Sequence, residues 1–286
     1  MPELPEVHAL VADLGARLSG RRVDKFHMLS FAALKTFDPP LDAVNGETIG
    51  EVTRHGKFLD FAVGDLHLVV HLARAGWIRW RAERPQPSKA LGKGPMAARL
   101  VLDDGSGMDV TEAGTKKSLA IYLVRSPTDV PGIARLGPDP LADGFTVSHF
   151  AAILASAGRS QIKGVLRNQG LIAGIGNAYS DEILHRARMS PFKPASMTPD
   201  EVAGLFTAMQ STLREAIDRA DGLAASELKA EKKSNLRVHG RTGEPCPVCG
   251  DTVRQVIYTD STFQYCPTCQ TGGKPLADRV LSRLLK

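Results

Sequence analysis

The sequence predicts an α+β protein of several domains. An N-terminal helix leads into a β-sandwich, a helical domain follows, and a small C-terminal β-hairpin carries a cluster of cysteines. Three observations predict this. Apolar residues recur at helical spacing over the first eighteen positions, whereas residues 21–125 hold short apolar runs separated by Gly-Asp and Asp-Gly turns. Beyond a stretch rich in Pro, Gly and Asp at 127–145, the periodicity is helical again. The chain then closes on two Cys-x2-Cys pairs, and its 286 residues suffice for two domains with real cores.

The first helix is carried by Val7, Leu10, Val11, Leu14 and Leu18, which share one face. Pro2 and Pro5 suit its first turn, and Glu3 and Glu6 complement its dipole. Strands follow in runs such as Lys57–Val63, Leu66–Leu72 and Ala98–Leu102, with turns at Gly64-Asp65 and Asp104-Gly105. Paired strands in a sandwich satisfy their backbones and bury alternating faces. Residues 84–95 read as a loop, and 127–145 as a linker. Helical periodicity then covers Thr146–Ala157, Gln161–Gln169, Asn177–Ala187 and Thr198–Ala220. The last of these opens on the capping box Thr198-Pro199-Asp200-Glu201. The expected domains are therefore 1–126, a linker 127–145, a helical domain 146–235, and a hairpin with a basic tail at 236–286.

Cys246, Cys249, Cys266 and Cys269 form two pairs sixteen residues apart, with no cysteine elsewhere. This spacing predicts one structural zinc ion held by four thiolates on a β-hairpin. Disulfides are the alternative, disfavoured in a reducing compartment. Residues 231–286 hold nine Lys/Arg against five Asp/Glu, which accounts for +4 of the chain's +5 net charge. A basic terminal region fits a polyanionic partner. No stretch approaches the ~20 apolar residues of a membrane span, and the N-terminus has no secretory pattern. A cytoplasmic protein without membrane contact is expected.

Between two of the helices lies Gly170-Leu-Ile-Ala-Gly-Ile-Gly176, followed by Asn177-Ala-Tyr-Ser-Asp-Glu182. Such a turn aims helix N–H groups outward as a phosphate site, to which Asn177 can add a donor. The plainer alternative is that Asn177 caps its own helix. PELPEV at the start, HGK at 55–57, QGLIAGIGNAYSDE at 169–182, GRTGEPCPVCG and YCPTCQ occur in one order. In this the chain resembles the bacterial formamidopyrimidine-DNA glycosylase and endonuclease VIII family, over essentially its whole length.

The resemblance implies a helix-two-turns-helix domain at 146–235, a zinc finger at 236–286, and a DNA repair enzyme. It is expected to act as a monomer on damaged or abasic DNA at the bacterial nucleoid. It implies that Met1 is removed and that Pro2 becomes the nucleophile. A free α-amine, with a pKa near ~8, is partly neutral at pH 7, unlike a lysine amine near ~10.4. Attack on the sugar C1′ expels the base and leaves an iminium, which favours strand cleavage by β- or β,δ-elimination. Glu3 is implied as a proton donor, and Lys57 as a charge projecting from a sandwich strand toward the sugar and its phosphates. On its own, HGK reads as a solvated strand. Glu6 either helps position the sugar or serves only the helix dipole, and His8, His55 and His71 read as packed or surface residues.

Three departures from the family pattern stand out. Where members read HLGMSG, this chain has His71-Leu-Ala-Arg74-Ala-Gly76, so Arg74 takes the place of an apolar wedge. An Arg-Arg-Phe-Gly loop is replaced by Lys116-Lys117-Ser118-Leu119, which keeps charge for phosphates and loses the aromatic wedge. An arginine five residues before the third cysteine is replaced by Ser261. The expected DNA contacts are thus Asn177, Arg74, Lys116 and Lys117. The alternative is a catalytically weak or inactive damaged-DNA-binding protein on the same scaffold.

Overall fold

The computed structural model describes residues 1–83, 95–257 and 262–276. The chain divides into two compact units. One comprises Met1–Leu136 with the returning segment Ala220–Leu228, the other Gly137–Arg219 with Lys229–Lys286.

The first unit opens with α1 (Leu4–Leu18) and continues through eight strands. These are β1 (Val23–Met28), β2 (Ile49–His55), β3 (Phe58–Val63), β4 (Leu66–His71), β5 (Gly76–Arg81), β6 (Met96–Leu102), β7 (Gly107–Glu112) and β8 (Ala120–Val124). They form two antiparallel four-stranded sheets, ordered β1-β6-β7-β5 and β2-β3-β4-β8. Both sheets and α1 share one core. Leu10, Leu14 and Leu18 are buried with Ile78, Leu100 and Met108 of one sheet and Leu59, Phe61 and Leu68 of the other. The predicted sandwich and its covering helix are present. The returning segment joins the same core through Ala225 and Leu228, and the Trp77 indole N–H donates to the Ala225 carbonyl at 3.0 Å.

The stretch at 127–145 is not simply extended chain. It carries α2 (Pro131–Ala134), and Val130 and Ile133 pack on Val69 and Val124. These two apolar side chains hold the first half of the expected linker against the first unit.

The second unit contains α3 (Val147–Ala157), α4 (Ile162–Arg167), α5 (Asn177–Arg186) and most of α6 (Pro199–Ala220). α7 (Leu228–Asn235) leads into the hairpin of β9 (Arg254–Ile257) and β10 (Thr262–Tyr265), and α8 (Pro267–Thr271) follows. Thr146 caps α3 by accepting the His149 N–H, and Thr198 accepts the Glu201 N–H at the start of α6. These are the positions from which the sequence predicts both helices to begin. Among the described residues, no helix is long and apolar enough to cross a membrane.

Candidate functional site

The chain start is held tightly. Glu3 is the N-cap residue of α1, and its backbone N–H donates to the Glu6 carboxylate at 2.8 Å. Pro2, Glu3 and Glu6 are all buried, while Met1 is exposed. Glu6 therefore fixes the backbone beside Pro2, a local task beyond its effect on the helix dipole.

α1 runs antiparallel to β2. The Gly20 N–H donates to the Ile49 carbonyl at 2.7 Å, and a Cβ at Gly15 would lie 3.8 Å from Val52. From Gly15 back to Glu3 a helix climbs about 18 Å, and from Val52 to the end of β2 at His55 the strand advances about 10 Å in the same direction before the chain turns. The chain start and the β2–β3 turn therefore lie toward the same end of the first unit. Lys57 does not project from a strand as expected. It occupies the two-residue turn Gly56-Lys57, which Gly56 makes possible at φ +55°, and it is buried.

Sheet register gathers the remaining predicted residues of this unit at the same edge. Phe58, His71 and Ala120 form one row across β3, β4 and β8. Lys57 precedes that row, the loop 72–75 leaves it, and the loop 113–119 enters it. The two loops touch: the Ala113 N–H donates to the Ala75 carbonyl at 3.2 Å. Gly76 is needed there, because a Cβ would collide with the Leu72 carbonyl and the Leu119 side chain. Arg74 is exposed at the tip of the first loop, just after Ala73 at φ +49°, a conformation that a residue with a Cβ adopts at a cost. Lys116 and Lys117 are exposed on the second loop, and the Lys117 ammonium donates to the Glu112 carbonyl at 2.6 Å.

Two further residues of this corner emerge from the structure. The buried Glu112 carboxylate accepts the N–H groups of Ser118 and Leu119 at 2.6 and 2.9 Å, so it sets the shape of the lysine loop. His71 packs on Phe58 with ring centroids 4.6 Å apart. Burial, and secondarily the Lys57 charge, lowers its pKa to about 4, which keeps the ring neutral. Of the other histidines, His55 and His67 flank the buried Asp60 at 3.1 and 2.9 Å, and His8 is exposed.

In the second unit, Gln169 organises the glycine turn. Its amide donates to the carbonyls of Arg167 and Ile175 and accepts the Gly174 N–H. Gly176 is the N-cap residue of α5, so Asn177 does not cap its own helix. The Asn177 Nδ2 donates to the Thr262 carbonyl at 2.6 Å, and its buried Oδ1 has no hydrogen-bond partner among the described residues. The side-chain donor expected for a phosphate is thus engaged with the hairpin. Behind it, the buried Lys163 ammonium donates to Ser180 Oγ at 2.9 Å and to the Asp181 carboxylate at 2.5 Å. Asp181 also meets His239 Nδ1 at 2.7 Å and accepts the Gln264 N–H. Glu182 accepts the N–H groups of Arg237, Val238 and His239 at 2.8–2.9 Å. Burial pushes the Glu182 carboxyl pKa up, and those three donors pull against it.

The four cysteines converge as predicted, and none is in a disulfide. Cys246 and Cys269 sulfurs lie 3.9 Å apart, and those of Cys249 and Cys266 lie 3.3 Å apart. Sulfurs sharing a tetrahedral zinc are about 3.8 Å apart, given a bond of about 2.3 Å. Burial raises the pKa of Cys266, and that of Cys269 to about 11, so these thiols need a cation in order to ionise together. The donor set therefore fits one metal ion. His185 stands beside it, with Nε2 3.3 Å from the Cys246 sulfur. Asp251 ties the two cysteine turns together by accepting from the Thr268 N–H and hydroxyl. Ser261 lies outside the described residues, as does the tail beyond residue 276.

Comparison with known proteins follows the same division. The N-terminal domain of formamidopyrimidine-DNA glycosylase matches residues 1–116, and the H2TH domain of the same enzyme matches residues 136–227. An uncharacterized formamidopyrimidine-DNA glycosylase-like protein of Mycobacterium tuberculosis is 56% identical over 53% of this chain and 94% of its own. A formamidopyrimidine-DNA glycosylase of Symbiobacterium thermophilum is 34% identical over 94% of this chain and 89% of its own. Among solved structures, the Lactococcus lactis Fpg complexed with DNA containing an abasic site superposes with a TM-score of 0.82. It is 26% identical, and the match covers 94% of this chain and 99% of that one.

Proposed function

The chain belongs to the formamidopyrimidine-DNA glycosylase family, and from that premise we propose a bifunctional base-excision repair enzyme that removes a damaged base and cleaves the strand at the abasic site. The reaction begins once Met1 is removed. The exposure of Met1 and the small side chain of Pro2 support that removal. The secondary amine of Pro2 attacks C1′ of a nucleotide turned out of the duplex, the C1′–base bond breaks, and the base departs with its bonding pair. Glu3 supplies the proton that opens the sugar ring. The resulting iminium draws electrons from the neighbouring C–H bond, so loss of the 2′ proton expels the 3′ phosphate.

One observation supports this reading: α1 runs antiparallel to β2, so the chain start and the turn that carries Lys57 lie toward the same end of the first unit, with Glu6 holding the backbone at Glu3. Lys57 is assigned to hold a phosphate near the sugar. Arg74, Lys116 and Lys117, on two touching loops at the same edge, are assigned to the DNA strands. The backbone N–H of Asn177 is assigned to a phosphate, the side chain of Asn177 serving to join α5 to the hairpin. The metal is assigned as zinc, which closes the hairpin and has no part in bond cleavage.

The test is borohydride reduction in the presence of duplex DNA containing an abasic site. The processed full-length protein should form a covalent protein–DNA adduct through reduction of the iminium, and Pro2→Gly should form at least tenfold less. A protein with intact Pro2 as its N-terminus that forms no adduct would be a binding protein only, and an adduct undiminished in Pro2→Gly would place the nucleophile elsewhere.

A further inference from the structure

A tetrahedral site made by four cysteines needs no further donor, yet a fifth stands against this one. His185 is the ninth residue of α5 and only 3% exposed, and its Nε2 lies 3.3 Å from the Cys246 sulfur. Ligand atoms of His185, Cys246, Cys266 and Cys269 all lie within 4.8 Å of one another. Two roles are open to such a ring. It can replace a cysteine as a ligand, or it can stay outside and donate to a thiolate.

The second ring nitrogen decides between them. A histidine that binds a metal through Nε2 carries its proton on Nδ1, and that N–H ordinarily finds an acceptor. Here Nδ1 is buried and has no hydrogen-bond partner among the described residues. A proton on Nδ1 would therefore leave a buried donor unsatisfied. With the proton on Nε2, the donor points at sulfur and Nδ1 keeps only a lone pair. Four thiolates around a divalent ion, half of them buried here (Cys246 and Cys266), carry a net charge of −2, and an N–H directed at one sulfur spreads that charge. The four cysteines already supply every position of a tetrahedron.

We propose that His185 is a positioning residue of the metal centre, its Nε2–H donating to the Cys246 thiolate from outside the coordination sphere. This fixes the Cys246 side chain and joins the end of α5 to the metal. The other end of the same helix is joined to the hairpin by Asn177. The inference rests on the reading of the cysteine cluster as a metal site.

The test uses the full chain loaded with zinc. Wild-type protein should hold about one zinc per chain; metal-free protein would overturn the metal reading itself. Release of zinc to a chromophoric chelator should be at least tenfold faster in His185→Phe, and His185→Gln, which restores an N–H, should recover most of the loss. Equal release rates in all three proteins would overturn the role of His185. Cobalt substitution separates the two roles: Phe should leave a four-sulfur ligand-field spectrum unchanged and shift only the sulfur-to-metal charge-transfer band. Loss of a nitrogen ligand in that spectrum would make His185 a ligand instead. Long-range proton–nitrogen spectra of the wild-type zinc protein need no variant. They should show Nε2 protonated and Nδ1 bare, and the reverse pattern would overturn the proposal.

Discussion

His71 reports on the corner where the proposed chemistry occurs. Its pKa is lowered to about 4, chiefly by burial and secondarily by the Lys57 charge. Replacing Lys57 by Met removes the second cause and keeps the first. An NMR titration should therefore find the His71 pKa raised in Lys57→Met, yet still below the ordinary value near ~6.5. An unchanged value would separate Lys57 from His71 in solution. The same ring makes stability depend on pH. Between about pH 6.5 and 4 the unfolded chain binds a proton that the folded ring refuses, so stability falls as pH falls through that window. The full effect is at most about 3.5 kcal/mol, from about 1.4 kcal/mol per pKa unit. Denaturant unfolding of His71→Gln against wild type at pH 7 and pH 4.5 should show the wild type losing more.

At the scale of elements, the lysine loop depends on a single carboxylate. Glu112 ends β7 and accepts the N–H groups of Ser118 and Leu119. Glu112→Ala strands those donors, one of them buried, and should cost about 2–3 kcal/mol. Trypsin should then cut after Lys116 or Lys117 several-fold faster, whereas Glu112→Gln, which keeps an acceptor, should behave nearly as wild type. Equal cleavage in all three would show that the loop holds its shape without Glu112. Nothing local in the sequence identifies this loop's anchor, because the partners are six and seven residues away on a turn with no motif of its own. The helices were legible for the opposite reason: Thr146 and Thr198 act within their own first turns. The cysteine cluster was legible too, since two short spacings encode it. The gathering of Lys57, Arg74 and Lys116 at one edge was not. It follows from a register that pairs Phe58 with His71 and His71 with Ala120, and only assembled strands set that register. HGK likewise read as strand, when Gly56 makes it a turn. Asp181 and Glu182, which follow the glycine turn, are buried anchors for residues 237–239 and the hairpin, and nothing local signals it because those partners lie more than fifty residues on.

At the scale of the whole chain, the helices of the second unit bury apolar side chains such as Phe150, Leu166, Leu205 and Leu213, as the first unit does, but the hairpin end of the second has a different kind of core. The first unit buries aliphatic side chains from α1 and both sheets. The hairpin end of the second unit buries Cys246 and Cys266 with Val238 and Val253, and Val256, Phe263 and Tyr265 form a second small cluster. A core centred on thiols is stable only if their charges are neutralised or their protons retained. Metal binding and the folding of such a segment are therefore coupled, and the free energy of one becomes that of the other. Calorimetry of the zinc-loaded protein should resolve two transitions. A strong chelator should lower the one belonging to residues 137–219 and 229–286 by several kcal/mol of stability, and leave the sandwich transition in place. The lowered transition should also lose its zinc dependence as pH falls, because protons compete for the thiolates, with Cys269 held up at about 11 when no metal is bound. If both transitions fall together on chelation, the cysteine cluster supports more of the molecule than its own unit. If neither moves, the four thiols hold the hairpin without a metal.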